Sequence, residues 1–306
     1  MSRLGRAAAG AGADAAAAWT IAHHRSPAVR NWRRSRLSGE RVGRLWCRSG
    51  GDGESGALLL HGLVATGDVF GDTADALATE CRVVVPDLLG FGRSLDEGES
   101  DFGTEAHLAA LDLAVSELLG DRPIDVVAHS MGSALALRWA DRHPERVHRV
   151  VCIGAPMWSS SSKAAERIAA TSTLARLSIT DQRLAHRLCQ FNCEHRTASG
   201  WLSAAVAPRW PIPIGRQASL HTWGAYQQTL NEQVFQTPWS ELLTRLDAAE
   251  VAVHLVWGDR DPVGDPAVAA EAGENLRHVS VSTVPGADHT LPAARPGLIV
   301  DLLQRR

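Results

Sequence analysis

A serine lies where an apolar stretch meets a helix-forming stretch. The segment Val126–Ser133 is Val-Val-Ala-His-Ser-Met-Gly-Ser, so Ser130 follows directly on the apolar residues. At a sharp turn from strand to helix, small neighbours let the crowded backbone close, and the serine hydroxyl is held exposed above the sheet edge. The positive end of the following helix then lies near any oxyanion that forms. The alternative is an ordinary turn in which Ser130 only caps the helix.

Two further segments offer the groups that a nucleophilic serine needs. The segment Val-Trp-Gly-Asp-Arg-Asp-Pro contains Asp259 and Asp261, and the segment Pro-Gly-Ala-Asp-His ends at His289. A histidine on a loop after a late strand can reach Ser130 and act as a general base. A carboxylate bonded to that imidazole fixes its tautomer and stabilises its charged form. These segments predict a Ser–His–Asp triad, and the residues alone leave both aspartates open as the acid.

A third segment predicts donors for an oxyanion. Leu-Leu-Leu-His-Gly-Leu, which ends at Leu63, places a loop directly after a short apolar stretch. We expect the backbone N–H of Leu63 to turn into the site and to pair with the N–H of Met131. Two fixed donors stabilise charge on a carbonyl oxygen where it develops in the transition state. The side chain of His61 is expected to brace this loop.

Short apolar stretches precede each of these motifs and alternate with helical patterns. Continuous apolar strands that alternate with helices indicate a mostly parallel central sheet with helices on both faces, an α/β fold. The predicted strands are Arg41–Arg48, Ala57–Leu60, Arg82–Val85, Ile124–Ala128, Val147–Ile153, Val251–Val256 and His278–Val284. The predicted helices of this core are Asp72–Glu80, Thr104–Leu119, Met131–Arg142 and Ala294–Leu303.

The alternation of strands and helices is interrupted over residues 156–246. This stretch has helical patterns with proline-rich turns, and it holds five of the ten tryptophans. We predict that it forms a helical cap, or lid, inserted into a core made of residues 37–155 and 247–306. Trp158 and Trp223 are expected to wall an apolar substrate pocket. Packing in the core is an equally open role for about half of the tryptophans in the cap.

Charge is distributed unevenly along the chain. Residues 1–48 carry ten arginines and two acidic residues, whereas the whole chain has a net charge of −3. We interpret residues 1–36 as a basic leader that is partly disordered, and contact of this leader with a membrane surface is the alternative left open. The overall charge gives no general attraction to nucleic acid.

Five cysteines with irregular spacing predict reduced thiols and a cytoplasmic protein. Cys189, Cys193 and His195 lie close together in the sequence, but no second pair of ligands follows at the spacing of a zinc site, so no metal is predicted. No stretch approaches the roughly 18 apolar residues of a transmembrane helix.

In chain order, these motifs resemble those of the α/β-hydrolase fold superfamily. The resemblance runs from about residue 40 to the C-terminus, and Val83–Ser94 also looks like the family's strand and loop before the serine turn. It favours Asp261 over Asp259, because the family's acid usually lies three residues after the glycine of a Gly-x-x-Asp turn. One departure is Ala128, which replaces the first glycine of the family's Gly-x-Ser-x-Gly turn.

The residues and the resemblance together predict an esterase-like or lipase-like serine hydrolase without a cofactor. Ser130 would attack a small to medium, fairly apolar, ester-like substrate, with His289 as base and Asp261 as its partner. The same triad also allows carbon–carbon bond hydrolysis, acyl transfer or cofactor-free peroxidation. The alternative from another class is an inactive hydrolase-like protein that binds a ligand.

Overall fold

The centre of the protein is an eight-stranded sheet with the strand order β1-β2-β4-β3-β5-β6-β7-β8. The computed structural model describes residues 15–171 and 173–304. β2 pairs antiparallel with β1 and β4, and all other neighbours are parallel. The strands are β1 (Ser38–Val42), β2 (Leu45–Gly50), β3 (Gly56–Leu60), β4 (Arg82–Asp87), β5 (Ile124–His129), β6 (Val147–Ile153), β7 (Ala252–Gly258) and β8 (Val279–Val284).

Helices follow most of the strands. In chain order they are α1 (15–25), α2 (Pro27–Asn31), α3 (Thr73–Leu77), α4 (Thr104–Leu119), α5 (Gly132–Arg142), α6 (Ser161–Thr171), α7 (Thr173–Thr180), α8 (Gln182–Glu194), α9 (Arg196–Val206), α10 (Ile212–Gln217), α11 (Trp223–Thr229), α12 (Trp239–Ala248), α13 (Pro266–Gly273), α14 (Leu291–Ala294) and α15 (Pro296–Gln304). A π-helical segment, Leu230–Phe235, joins α11 to the turn before α12.

Continuous apolar strands fill both sides of the sheet because successive side chains point to opposite faces. In β4, Val84 packs into one apolar cluster with α4, α5 and α12, while Val83 and Val85 pack into a second cluster with α3 and α15. The same alternation holds in β3, where Leu58 and Leu59 belong to different clusters. The predicted mostly parallel sheet with helices on both faces is therefore confirmed.

One predicted strand is in fact a hairpin. The sequence pattern predicted a single strand over Arg41–Arg48, but β1 and β2 pair antiparallel around a turn at Gly43 and Arg44. Gly43 has φ of +54°, in the left-handed region that glycine adopts without strain. A lone glycine between two short polar-apolar runs is a weak turn signal, and the prediction missed it.

The N-terminal stretch contacts the body of the protein over the part that the structure describes. The Ser26 hydroxyl donates to the carbonyl of Arg209 at 2.6 Å, and the Asn31 amide donates to the carbonyl of Ala294 at 2.7 Å. Ala28 is fully buried. Residues 1–14 of the predicted leader lie outside the described residues, whereas residues 15–36 include α1 and α2.

The chain between β6 and β7 forms α6 to α12, and we call residues 156–248 the helical insertion. Its second half is fixed to the core: the carboxylate of Glu232 accepts hydrogen bonds from the Thr104 backbone N–H at 2.6 Å and from the Thr104 hydroxyl at 2.7 Å. In its first half, α8 and α9, which we call the outer helices, bury only small or short side chains, namely Ala185, Cys189, Ser199, Gly200 and Ala204. Its role as a lid remains a prediction.

All five cysteines are free thiols. Cys193 is partly exposed and the other four are buried. Burial raises the pKa of Cys47 and of Cys152 to about 12. Within the described residues, no helix has the length and apolar character needed to cross a membrane.

Candidate active site

The turn from β5 into α5 holds Ser130 in a strained backbone conformation. Ser130 has φ of +55°, which costs a non-glycine residue about 1 kcal/mol or more. Its N–H donates to the carbonyl of Ile153 at 2.8 Å. A Cβ on Gly132 would lie 2.5 Å from the carbonyl oxygen of His61, and a Cβ on Gly62 would lie 2.8 Å from the Cβ of Ser130. Gly132 in the turn and Gly62 in the neighbouring loop therefore leave the space that the turn at Ser130 needs.

Three side chains from three strand ends meet at the carboxyl edge of the sheet. The Oγ of Ser130 lies 3.1 Å from Nε2 of His289, on the turn after β8. Nδ1 of His289 lies 2.9 Å and 3.0 Å from the two carboxylate oxygens of Asp261, which follows β7. The Asp261 side chain is 2% exposed and that of His289 is 25% exposed. The arrangement thus runs from a buried carboxylate to a partly exposed hydroxyl.

The two candidate aspartates have different partners. Asp259 accepts a hydrogen bond from the backbone N–H of Gly286 at 2.8 Å, so it ties the turn after β7 to the turn after β8. Asp261 faces the imidazole of His289, and one of its oxygens also accepts from the N–H of Val263 at 2.8 Å. The geometry therefore places Asp261 at the imidazole and gives Asp259 a bracing contact with the loop that carries it.

The loop around His289 is supported by residues that the sequence analysis did not single out. Nε2 of His129 lies 3.0 Å from the carbonyl oxygen of His289, and the two rings are 4.6 Å apart. Burial, reinforced by the neighbouring His289, lowers the pKa of His129 well below its usual value, so its neutral ring donates to that carbonyl. Asp288 accepts from the backbone N–H of Thr290 at 3.0 Å and from Arg209 at 2.8 Å.

Gly154, directly after β6, makes room for the acid and the histidine. It has φ of +61°, and a Cβ there would lie 2.8 Å from Oδ2 of Asp261 and 3.1 Å from Nδ1 of His289. The residue bears no reactive group, so a search for reactive side chains overlooks it. Its sequence signal is a glycine immediately after an apolar strand that ends at the same sheet edge.

The loop after β3 lies against the serine turn, since Gly62 is in contact range of Ser130. Among the hydrogen bonds of the described residues, the backbone N–H groups of Leu63 and Met131 donate to no protein acceptor. Their role as donors to an oxyanion remains a prediction. Because Met131 begins the turn into α5, its N–H belongs to the positive end of that helix.

His61 braces this loop, as expected. The backbone N–H of Leu88 donates to Nε2 of His61 at 2.7 Å, so the proton of the ring is on Nδ1, which donates to the carbonyl of Gly62 at 2.8 Å. Burial lowers the pKa of His61, which is fully buried and neutral in this arrangement.

A buried cluster of charged groups lies under the same loop. Arg48 pairs with Asp68 and lies 3.9 Å from Asp87, and the side chains of these three residues are 8%, 4% and 0% exposed. Asp87 accepts from the backbone N–H of Gly67 at 2.9 Å. Gln217 of the insertion donates to Asp68. The loop that carries Leu63 is therefore held from the sheet on one side and from the insertion on the other.

The two tryptophans predicted to contact substrate lie in different surroundings. Trp158 follows β6 and is partly buried. Trp223 stacks on His186 with the rings 5.4 Å apart and lines a 450 Å³ cleft that contains none of the three triad residues. The ring of Trp210, another residue of the insertion, lies edge-on to the ring of His129, with 6.3 Å between the ring centres. A role in substrate binding for Trp158 and Trp223 remains a prediction.

A comparison with known families identifies the fold. Residues 58–293 match the family model described as alpha/beta hydrolase fold. That match covers most of the chain and includes the turns that follow β3, β5, β6, β7 and β8. The chain therefore belongs to the alpha/beta hydrolase fold family.

Individual relatives are distant. A probable lysophospholipase from Arabidopsis thaliana, BODYGUARD 4, is 24% identical over 249 residues, which are 76% of this chain and 59% of the relative. The chain thus spans less than two thirds of that relative's length. A bromoperoxidase from Bacillus anthracis superposes with a TM-score of 0.65 at 18% identity, over 87% of this chain and 98% of that one. A putative lipase from Acinetobacter baumannii gives a TM-score of 0.62 at 18% identity, over 93% of both chains. At 18% identity, these two structural similarities show a shared fold.

Proposed function

We propose that the chain is a serine hydrolase that cleaves a carboxylic ester through an acyl-enzyme. The observation that carries the proposal is the hydrogen-bonded line from Asp261 through His289 to Ser130, with distances of 2.9 Å and 3.1 Å. A hydroxyl, an imidazole and a buried carboxylate in this order form an activated nucleophile.

In the first half of the reaction, Oγ of Ser130 attacks the acyl carbon and Nε2 of His289 takes its proton. Asp261 keeps the other ring proton on Nδ1 and stabilises the imidazolium. The carbonyl oxygen becomes negatively charged and accepts hydrogen bonds from the N–H groups of Leu63 and Met131. Removal of one such donor typically costs about a hundredfold or more in rate.

In the second half, the tetrahedral intermediate collapses and the alcohol leaves with the proton from His289. Water then gives a proton to His289 and attacks the acyl group on Ser130, and the acid is released as the serine regains its proton. The strained turn at Ser130 and the bonded loops around it supply a geometry that is fixed before substrate arrives.

The substrate in this proposal is a small to medium, uncharged and fairly apolar ester. The names of two similar proteins, a probable lysophospholipase and a putative lipase, support an ester bond as the target. The aromatic side chain of Trp210 beside His129 supports an apolar surrounding.

The test is a series of p-nitrophenyl esters of increasing acyl length, combined with labelling by a fluorophosphonate probe. We expect Ser130→Ala to lose about 10⁴-fold or more in kcat/KM and to lose all labelling. The matched control is Ser133→Ala, which removes a fully buried hydroxyl from the first turn of α5 and leaves the line to His289 intact. Hydrolysis that persists unchanged in Ser130→Ala would exclude this mechanism.

Product analysis separates ester hydrolysis from the other reactions that the triad allows. Equal amounts of free acid and alcohol support hydrolysis, whereas an ester of an added alcohol indicates acyl transfer. Wild-type protein that neither turns over any ester nor reacts with the probe would indicate a ligand-binding protein.

A further inference from the structure

The helix α9 presents apolar side chains to solvent. Trp201, Leu202 and Val206 are 53%, 63% and 75% exposed, while the buried positions of the helix are occupied by Ser199, Gly200 and Ala204. An ordinary surface helix turns its polar residues outward and buries its large apolar residues. The large apolar residues of α9 are therefore mostly exposed within the described part of the protein.

The neighbouring helix α1 extends this apolar surface. On the side of α1 that faces α9, Ala16 is exposed and Trp19 is partly buried. Between α1 and α9 lies a 310 Å³ cleft lined by Ala16, Trp19, Thr20, Trp201, Ala204, Ala205 and Ile212. All of these residues except Thr20 are apolar or aromatic, so the cleft is suited to a hydrocarbon group.

Arginines border the apolar surface. Arg34, Arg196 and Arg216 line a 360 Å³ cleft that shares Ile212 with the apolar cleft. The guanidinium of Arg216 lies 4.3 Å from the centre of the Trp201 ring. Arg34 and Arg216 form no ion pair with an acidic residue of the described chain. Arg216 therefore stands beside the exposed tryptophan, and Arg34 lines the adjoining cleft, with no acidic partner for either within the described residues.

The surrounding sequence is basic as well. Residues 15–36 and 182–220 together carry ten arginines and one acidic residue, in a chain whose net charge is −3. The occupant of this surface should therefore combine apolar groups with negative charge. A second copy of the chain would place arginines opposite arginines, and residues 1–14, with two arginines and one aspartate, bring no net negative charge.

We propose that this surface, the α1–α9 face (Trp19, Trp201, Leu202 and Val206 with Arg34 and Arg216), docks on an anionic lipid bilayer. The apolar side chains enter the boundary between headgroups and acyl chains, with the tryptophan at the headgroup level. The arginines bind lipid phosphates and add the attraction of a negatively charged membrane surface. The face includes none of the triad residues, so this inference goes beyond the proposed ester hydrolysis.

Vesicle flotation of the full chain tests the inference. We expect binding to vesicles of phosphatidylcholine mixed with phosphatidylglycerol, and at least about tenfold weaker binding to phosphatidylcholine alone. The double variant Leu202→Asp, Val206→Asp should lower binding to the mixed vesicles about tenfold or more. The matched control is Leu113→Asp, which charges an exposed leucine of α4 outside the face (42% exposed) and should bind as wild type does.

A charge variant and two further measurements decide between occupants. Arg34→Glu with Arg216→Glu should weaken binding to the mixed vesicles and leave hydrolysis of a water-soluble ester unchanged, which separates this inference from the proposed function. Wild-type protein that does not float with anionic vesicles overturns the proposal. So does a wild-type dimer that Leu202→Asp, Val206→Asp converts to a monomer, because the face would then be an interface between copies.

A chain lacking residues 1–14 separates the face from the basic leader. Binding equal to that of the full chain supports the α1–α9 face. Complete loss of binding in the shortened chain, together with normal binding of Leu202→Asp, Val206→Asp, would assign the attachment to the leader and contradict the proposal.

Discussion

The turns that follow β3, β5, β6, β7 and β8, which we call the strand-end turns, differ sharply from the outer helices α8 and α9. In the strand-end turns, polar side chains are fixed by hydrogen bonds: the buried carboxylate of Asp261 faces His289, the buried His61 links two loops, and the exposed Asp259 binds the N–H of Gly286. In the outer helices, large apolar side chains such as that of Leu202 face solvent. Groups that react must be held in place before substrate arrives. Groups that adhere to another surface need only be exposed.

The boundary between these two kinds of structure runs through the helical insertion. Its second half behaves as part of the core, because Leu242, Leu243 and Leu246 are buried and Glu232 is bonded to the first residue of α4. Within its first half, α8 and α9 contribute only small or short side chains to the interior. The two halves of the insertion therefore differ in how firmly they pack against the core.

The largest effect is expected for Arg48→Met, which removes the buried positive charge between Asp68 and Asp87. Arg93, which is 41% exposed, lies 3.7 Å from Asp68 and 3.5 Å from Asp87 and still compensates them in part. The loss should therefore lie at the lower end of the about 3–5 kcal/mol of unfolding free energy that breaking a buried ion pair costs. Urea denaturation followed by fluorescence measures this value. A loss as small as that of an exposed substitution would show that the loop under the site does not depend on the cluster.

A smaller effect, on catalysis rather than stability, is expected for Gly154→Ala. The added Cβ would clash with Asp261 and His289, and the alanine would have to keep the positive φ of this position. Displacement of reacting groups by about 1 Å can cost about a hundredfold in rate, so kcat should fall by about that factor. The control is Gly297→Ala, where a Cβ meets no atom within 4 Å and activity should be unchanged. Equal activity in both variants would argue against a preformed site.

Acid should weaken the attachment of the second half of the insertion, which we call the anchored half. Burial lowers the pKa of His107 to about 3, and Nε2 of His107 lies 3.3 Å from the hydroxyl of Thr229. In the unfolded chain, His107 takes up a proton as the pH falls below 6.5, whereas in the folded chain it stays neutral until the pH approaches about 3. The contribution of neutral His107 to stability is therefore complete above pH 6.5 and falls as the pH drops toward 3. The loss is about 1.4 kcal/mol per pH unit for this group. The free energy of unfolding of His107→Gln, measured at about pH 7 and pH 5.5, should depend less on pH than that of wild type.

The smallest effect is expected in the outer helices. Phe191 of α8 is 56% exposed, so Phe191→Ser should change the free energy of unfolding by no more than about 0.5 kcal/mol. Leu243→Ala, in the anchored half, should cost about 2–5 kcal/mol because its side chain is fully buried. Similar losses in both variants, measured by urea denaturation, would remove the distinction between the two halves.

The sheet could be predicted because its strands are continuous apolar runs that end at recognisable turns. The prediction of Val147–Ile153 matches β6 residue for residue, and the long helix Thr104–Leu119 matches α4. The positions of Ser130 and His289 at strand ends could be predicted in the same way, because parallel strands bring their carboxyl ends to one edge.

Other features depend on contacts that no local pattern encodes. The residues alone leave Asp259 and Asp261 open, because both lie on one short turn; only the family resemblance favoured Asp261, the carboxylate that faces the imidazole. Gly154 and His129 act by shape and by support of a loop rather than by reactivity. The outward face of α9 has helical periodicity, but its apolar stripe would normally predict burial, so the sequence pattern indicates the wrong side.

The four buried cysteines have a practical consequence for experiments on the insertion. Their thiols are shielded, and those of Cys47 and Cys152, with pKa values of about 12, stay protonated at neutral pH and react slowly with electrophiles. Cys193 is the partly exposed one of the five. A maleimide dye should therefore attach there without any engineered cysteine, and it would report from α8 when the outer helices approach a surface.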